Sequence, residues 1–267
     1  MNQDLLNTAK SAAQEAGKII LSALDQPRIP DFKGRTDLVT ETDRRCEEVI
    51  ISYIKKKFPD HAVLAEESGA YDSASEYEWV IDPLDGTTNF VHGYSSFGVS
   101  IGCMKNGHPE IGVVLELPSR RFFTAVSGAG AFADGNPIHV SNNSKLNTSL
   151  LVTGFGYDHG KKWEANMALF KTFTDITQGV RRLGAAAVDL CHVACGMADG
   201  FWEFDLHPWD TAAGILILSE AGGTITQMDG KAFNIYNKQV LATNGKIHNA
   251  MLVHTRPVLD TFNLRDV

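Results

Sequence analysis

The sequence predicts an α+β fold in two subdomains, on two observations. Between residues 62 and 126 short apolar runs follow one another, bounded by Gly, Pro, Asn or Asp, which is the pattern of a mainly antiparallel sheet. Beyond Asn147 apolar strands alternate with helical stripes, which is the pattern of an α/β unit. The composition changes between them only at Asn142-Asn143-Ser144, with no Pro-rich or Gly/Ser-rich linker. Residues 1–145 and 146–267 are therefore expected to form two subdomains that share an interface.

Leu5, Leu6, Ala9, Ala12, Ala13, Ala16, Ile19, Ile20, Ala23 and Leu24 recur at three-and-four spacing, the stripe of an amphipathic helix ending near Gln26-Pro27. Residues 42–57 put Cys46, Val49, Ile50, Tyr53 and Ile54 on one face of a second helix, stopped by Pro59. Strands follow at 62–65, 79–81, 97–104, 111–117 and 122–126. The second half reads as strand 149–153, helix 163–173, helix 185–194, strand 201–204, helix 209–221, strands 224–227 and 239–242, and a last short element near 248–254. Trp163 and Met167 read as core, and Gly222-Gly223 as a helix terminator.

Hydrophobic residues make up 43% and charged residues 21% of the 267, which excludes disordered and collagen-like classes. Lys plus Arg number 24 against 32 Asp plus Glu, a net charge of -8. That sign excludes nucleic acid as the principal ligand. Cys46, Cys103, Cys191 and Cys195 are too dispersed for a disulfide framework and are expected to be reduced. Asp4, Lys10, Glu15 and Lys18 interrupt the first twenty residues, so neither signal peptide nor membrane span is expected there. The expected compartment is the cytoplasm.

The most informative stretch is Trp79-Val-Ile-Asp82-Pro83-Leu84-Asp85-Gly86-Thr87-Thr88-Asn89-Phe90, an apolar strand running into two carboxylates three apart and then a Gly-Thr-Thr turn. Pro83 fixes φ between the aspartates, so both carboxylates can be held toward one point. Gly86 permits close backbone approach, and Thr87-Thr88 suits a capped helix start whose free N–H groups would face an anion. The plain alternative is a capped turn with solvated aspartates. Ala65-Glu66-Glu67-Ser68-Gly69 also follows a short strand, and its adjacent acids point to opposite sides, so one of them faces the Asp82 and Asp85 site. In His207-Pro208-Trp209-Asp210, the last residue stands in the first turn of an apolar helix, where the helix dipole alone would favour it.

If Glu66, Asp82, Asp85 and Asp210 converge beside an anion-binding turn, a phosphate monoester, carrying about −1.5 to −2 of charge, is repelled unless cations intervene. All-oxygen ligands without nearby Cys or His pairs suit Mg²⁺, two or three ions per site, with Mn²⁺ as the substitute. Metal-assisted phosphoryl transfer to water follows. A calcium module is disfavoured because the acids are not grouped in one twelve-residue loop.

The chain resembles the inositol monophosphatase family. The motifs that carry the resemblance are Asp37-Leu-Val-Thr40-x-Thr42-Asp43, Glu66-Glu67-Ser68, the Trp79 to Phe90 stretch, Gly184-Ala-Ala-Ala-Val188 and Trp209-Asp210-x-Ala-Ala, in family order and at family-like separations. The resemblance runs from the first helix to about His254. It implies a layered αβαβα sandwich of the sugar-phosphatase type, a homodimer and sensitivity to lithium. By resemblance, Glu66, Asp82, Asp85, Asp210 and the carbonyl of Leu84 hold the metals, with Glu66 also counted as catalytic. Thr87 with Asp43 orients the attacking water, although capping of the second helix would also explain Asp43. Gly86, Thr87 and Thr88 bind phosphate, Glu203 holds a ring hydroxyl, and Ala186 makes a neighbouring backbone contact.

The implied activity is Mg²⁺-dependent hydrolysis of myo-inositol 1-phosphate, a small phosphorylated polyol. Related activities act on fructose 1,6-bisphosphate, histidinol phosphate or nucleotide phosphates, and a non-enzymatic place in a transcription complex is the alternative of a different class. Tyr157, in Gly154-Phe-Gly156-Tyr157, stands where some members carry a small polar residue and leaves substrate preference open.

Overall fold

The structure, a computed structural model, describes residues 2–34, 37–71 and 73–265. Helices α1 (Asn2–Ala23) and α2 (Glu41–Lys57) flank a hairpin of β1 (Asp31–Phe32) and β2 (Leu38–Val39). There follow β3 (Ala62–Ala65), β4 (Gly69–Tyr71), β5 (Tyr77–Asp85), α3 (Thr87–His92), β6 (Phe97–Lys105), β7 (His108–Leu117), β8 (Arg121–Val126), β9 (Ala131–Ala133) and β10 (Asn136–Pro137). The second half comprises β11 (Leu150–Thr153), α4 (Lys161–Ile176), β12 (Gly179–Arg181), α5 (Ala186–Ala194), β13 (Gly200–Phe204), α6 (Pro208–Glu220), β14 (Thr224–Thr226), β15 (Gln239–Thr243) and α7 (His248–Phe262).

Eight strands pair in the order β10-β9-β8-β7-β6-β5-β3-β4, antiparallel except for β3 with β5. Five more pair in the order β12-β11-β13-β15-β14, with β11 parallel to both of its neighbours. Because side chains alternate across a strand, each sheet has two apolar faces to cover. Trp79, Ile81, Ile101 and Val113 pack into one core with the stripe Leu5, Ala9, Ala12, Ala16 and Ile20 of α1 and with Ile50 and Ile54 of α2. Val80, Met104 and Val114, one position out of phase, pack on α5 and α6 instead. Phe201, Val240 and Ala242 of the five-stranded sheet cover the other side of that helix pair, while Leu151, Trp202 and Leu241 face α4 and α7. The layers are therefore α, β, α, β, α, as the resemblance implies. Burial of each large side chain is worth about 1.5–3 kcal/mol.

The middle helices lie close on the first sheet. A β-carbon at Gly102 would sit 2.9 Å from the Cβ of Ala212, and one at Gly112 only 2.6 Å from the carbonyl oxygen of Ala213. The first turn of α6, which carries Asp210, is thus set down directly on β6 and β7.

Several expectations need correction. Strand β5 runs on through Asp82 and Pro83 to Asp85, beyond the apolar run, because the ladder with β6 slips between the two aspartates and accommodates the proline there. The N-cap of α3 is Gly86, with no side-chain cap, so neither threonine caps that helix. Met167 is 40% exposed, since α4 buries Ala165, Asn166, Leu169 and Phe173 instead. The last element is a full helix, α7, that continues through Pro257. All four cysteines are free. No helix among the described residues is long and apolar enough to cross a membrane.

Candidate active site

Where β3, β5 and β13 end and α3, α5 and α6 begin, the chain encloses a cavity of about 430 Å³. Its lining includes Glu66, Asp82, Leu84, Asp85, Gly86, Thr87, Ala186, Glu203 and Asp210. Two expected residues are not on that lining. Asp43 is fully buried behind Thr87 and reaches the cavity only through it, and Thr88 lies one step along α3. Glu67 borders a separate groove beside Arg44 and Tyr71, but because both acids lie in the turn after β3 its carboxylate still meets the Lys33 ammonium that Glu66 also meets.

Each acid has its own anchor. The Leu84 N–H donates to Asp82 Oδ1 at 3.0 Å, closing the bulge around Pro83. The amides of Ala186 (3.0 Å) and Ala187 (2.8 Å), at the start of α5, donate to the two carboxylate oxygens of Asp85, which ties β5 to α5 across the cavity. Consequently the Ala186 N–H is committed to Asp85. The His207 N–H donates to Asp210 Oδ2 at 2.6 Å, a capping-box contact at the head of α6. Gly86, at φ +87°, turns the chain where a β-carbon would meet the carbonyl oxygen of Ser96 at 2.9 Å.

Asp43 fills both of its readings at once. Oδ2 accepts from the Thr40 N–H at 2.8 Å in a capping box, while Oδ1 accepts from the Thr87 hydroxyl at 2.8 Å. Burial pushes the Asp43 carboxyl up, against the lowering effect of those hydroxyls.

The cavity is crowded with acid that Lys33 and Arg182 only partly offset. Burial, followed by mutual repulsion, raises Glu66 to about 7 despite Lys33 beside it. Burial raises Asp85 and Asp210 to about 7 against their backbone hydrogen bonds. Burial and then the charges of Glu66, Asp85 and Asp210 push Asp82 well above the carboxylate range, and Glu203 is raised by burial and then by Asp210. Behind them Asp189 is fully buried, with neither carboxylate oxygen hydrogen-bonded. Lys33 Nζ lies 2.9 Å from Glu66 Oε1 and pairs also with Glu67. Burial would lower that ammonium's pKa, but the two glutamates hold it above the usual lysine value. Among the described residues no three acids, histidines or cysteines close on one point as a ready-made metal cage. The donors line a shared cavity instead.

Sequence reasoning left Lys33 out of the site and did not consider Arg182 or Glu47. Arg182 lines the cavity and lowers the Glu203 carboxyl, and nothing in its local sequence signals that. Glu47 did carry a signal, its spacing of four from Asp43 on one helical face.

The profile described as "Inositol monophosphatase family" matches residues 1–259. The chain belongs to the inositol monophosphatase family. Membership makes it a hydrolase of the phosphatase class. It is 46% identical over 270 residues to the Arabidopsis thaliana protein named "Phosphatase IMPL1, chloroplastic", covering 98% of this chain and 73% of that one. It is also 46% identical to the "Inositol-1-monophosphatase" of Synechocystis, over 93% of this chain and 88% of the relative. The "Nus factor SuhB" of Pseudomonas aeruginosa is 39% identical over 96% and 97%. Among solved structures, the inositol monophosphatase of Anabaena (Nostoc) superposes with a TM-score of 0.87 at 43% identity, over 96% of each chain.

Proposed function

We propose that this member of the family hydrolyses a phosphorylated polyol, myo-inositol 1-phosphate, to inositol and phosphate. The observation that carries the reading is the set of mutually repelling carboxylates of Glu66, Asp82, Asp85 and Asp210 around one cavity, with Asp82 and Asp85 buried and Glu66 and Asp210 half-buried at its wall. The donors are all oxygen, and the crowding that pushes their pKa values up is relieved when hard divalent cations bind the deprotonated carboxylates. Mg²⁺, two or three ions, with Mn²⁺ as a substitute, would be held by these four and by the Leu84 carbonyl. When bound, such ions neutralise the phosphate and lend Lewis-acid assistance to attack by water.

The chain's own groups supply the rest. The Thr87 hydroxyl directs its proton to Asp43 at 2.8 Å, with the Leu84 carbonyl a longer second acceptor at 3.1 Å, so the oxygen presents a lone pair that orients the attacking water. Backbone N–H groups of Gly86 and Thr87 face the phosphate. A bond forms from the water oxygen to phosphorus and the ester P–O bond breaks; the leaving alkoxide takes a proton from solvent water, and of the attacking water's two protons one is returned to solvent while the other stays on the product phosphate. Glu203 accepts hydrogen bonds from ring hydroxyls, with Ala186 beside it. We further propose a cytoplasmic homodimer, on the strength of the family resemblance and the chain's composition.

The test is kcat/KM on inositol 1-phosphate, fructose 1,6-bisphosphate, histidinol phosphate and a nucleotide monophosphate, with Mg²⁺ and with chelator. Inositol 1-phosphate should rank first. Chelator should abolish turnover, and lithium should inhibit where sodium at equal ionic strength does not. Turnover that survives chelation would overturn the metal assignment, and another ester ranking first would overturn the substrate. A place in a transcription complex, which the name of the Pseudomonas relative raises, would leave the buried acids without a use.

A further inference from the structure

Glu47 has no part in the reaction as described, yet its side chain is buried, at 4% exposure, one helical turn after Asp43 on α2. Its Oε2 accepts from the Glu67 N–H at 2.8 Å and its Oε1 from the Ser68 N–H at 2.9 Å. These amides belong to the turn between β3 and β4, whose pairing resumes only at Gly69 against Ala65. The Glu66 N–H is taken by Ile81 O at 3.2 Å, so the two amides after Glu66 have Glu47 as their partner. We propose that Glu47 is a positioning residue, which fixes the Glu66-Glu67-Ser68 turn so that the Glu66 carboxylate enters the cavity.

The Glu66 side chain is anchored in the protein by Lys33, which comes from the β1–β2 hairpin, so its direction depends on where its backbone is held. Residues four apart on a helix lie about 6 Å apart on one face. Helix α2 therefore spaces two supports at a fixed interval: Asp43 holds the Thr87 hydroxyl, and Glu47 holds the Glu66 turn. The helix is itself pinned by Cys46, Ile50 and Ile54 in the core. A bidentate carboxylate on two consecutive amides leaves that turn little freedom.

The inference rests on the reading that Glu66 holds a cation, and the experiment separates the two. Mn²⁺ binding is measured by electron paramagnetic resonance on the parent, Glu47→Gln, Glu47→Asp and Glu66→Gln, each well below its melting temperature. Glu47→Gln keeps the length but puts an amide N–H₂ against one backbone N–H, so one anchor is lost. Glu47→Asp keeps both acceptors and draws the turn back by one methylene. Mn²⁺ affinity should fall about tenfold or more in Glu47→Gln, the usual effect of losing an outer support of a metal ligand. The fall should be smaller in Glu47→Asp, and KM for inositol 1-phosphate at saturating metal should stay within about twofold in both. Weak binding by Glu66→Gln with parent-like binding by a folded position-47 variant overturns the inference and leaves the metal reading standing. Parent-like binding by Glu66→Gln overturns the metal reading, and this inference with it. If Glu47→Gln does not fold, Glu47→Asp alone decides.

Discussion

The hydroxyl of Thr87 donates to Oδ1 of Asp43 at 2.8 Å, across 44 positions of the chain, while Asp43 Oδ2 caps the helix that carries it. The pair joins α3 to α2 and leaves the Thr87 oxygen free to accept a hydrogen bond from the cavity side. Thr87→Ala should lower kcat by about 10²-fold or more with Mn²⁺ affinity unchanged. Asp43→Asn should do the same, and the double variant should be little worse than either single one. Losses that multiply would show that the two residues do not act as a unit.

Asp82 and Asp85 should part company when each is changed to Asn. Asp82 accepts a local backbone amide, so Asp82→Asn should nearly abolish hydrolysis while the fold survives. Asp85 ties β5 to α5 through that helix's first amides, and an amide nitrogen there would face one of those N–H groups. Asp85→Asn should therefore lose activity and also about 1–3 kcal/mol of stability. Circular dichroism melts beside turnover assays give the comparison; equal stability of the two variants would contradict the clamp.

Glu203→Gln should raise KM for inositol 1-phosphate about tenfold, since a charge-assisted bond is worth about 1.5–3 kcal/mol, and hardly change hydrolysis of an ester without ring hydroxyls. The structure adds a second route to the same result. A β-carbon at Gly154 would overlap the Glu203 carboxylate, so Gly154→Ala should reproduce the KM effect by displacing it. Equal losses on both esters would place Glu203 among the supports of the cations instead.

Metal-free protein should lose stability as pH rises through the range that separates the carboxylates' two states. Glu66 stands at about 7 against an ordinary 4.5, and Asp85 and Asp210 at about 7 against 3.8. The folded protein thus holds more protons than the unfolded chain between about pH 4 and 7, and stability declines there before levelling off. His61, His207 and His248, lowered chiefly by burial, push the other way near pH 6. The diagnostic is therefore the contrast in chelator between the parent and Glu66→Gln, whose decline should be shallower. Mg²⁺ should raise the melting temperature most at the alkaline end, because its ligands must be deprotonated. A parent no steeper than Glu66→Gln would refute the assignment of strained acids.

Much of this architecture is legible in the chain because periodicity reports burial directly. The stripe of α1 shows which of its faces is covered, and the short apolar runs of β6 and β7 mark strands buried on both faces. Length and polarity misled where a tertiary contact overrode them. Asp82 and Asp85 continue β5 because β6 supplies partners on either side of a bulge, which no local propensity reveals. Met167 looked like core because α4 has apolar residues on more than one face, and only packing selects among them. The acids of the site were readable from their places at strand and helix ends. Arg182 was not, since it acts through a neighbour distant in sequence, and Glu47 showed only its place one turn after Asp43, not the Glu67 and Ser68 amides that it holds.

The seam between α6 and the first sheet constrains what selection can accept. Glycines at 102 and 112 and alanines at 212 and 213 leave no room for a larger side chain on either side. Asp210 rides at the head of that helix, so a methyl group added far from the cavity tilts one acid away from the other three. Variants recovered by screening for altered substrate preference will therefore cluster around Tyr157 and Arg182, where the wall is exposed and has room to change. The four small residues of the seam will come through unchanged, though none of them touches the reacting molecule.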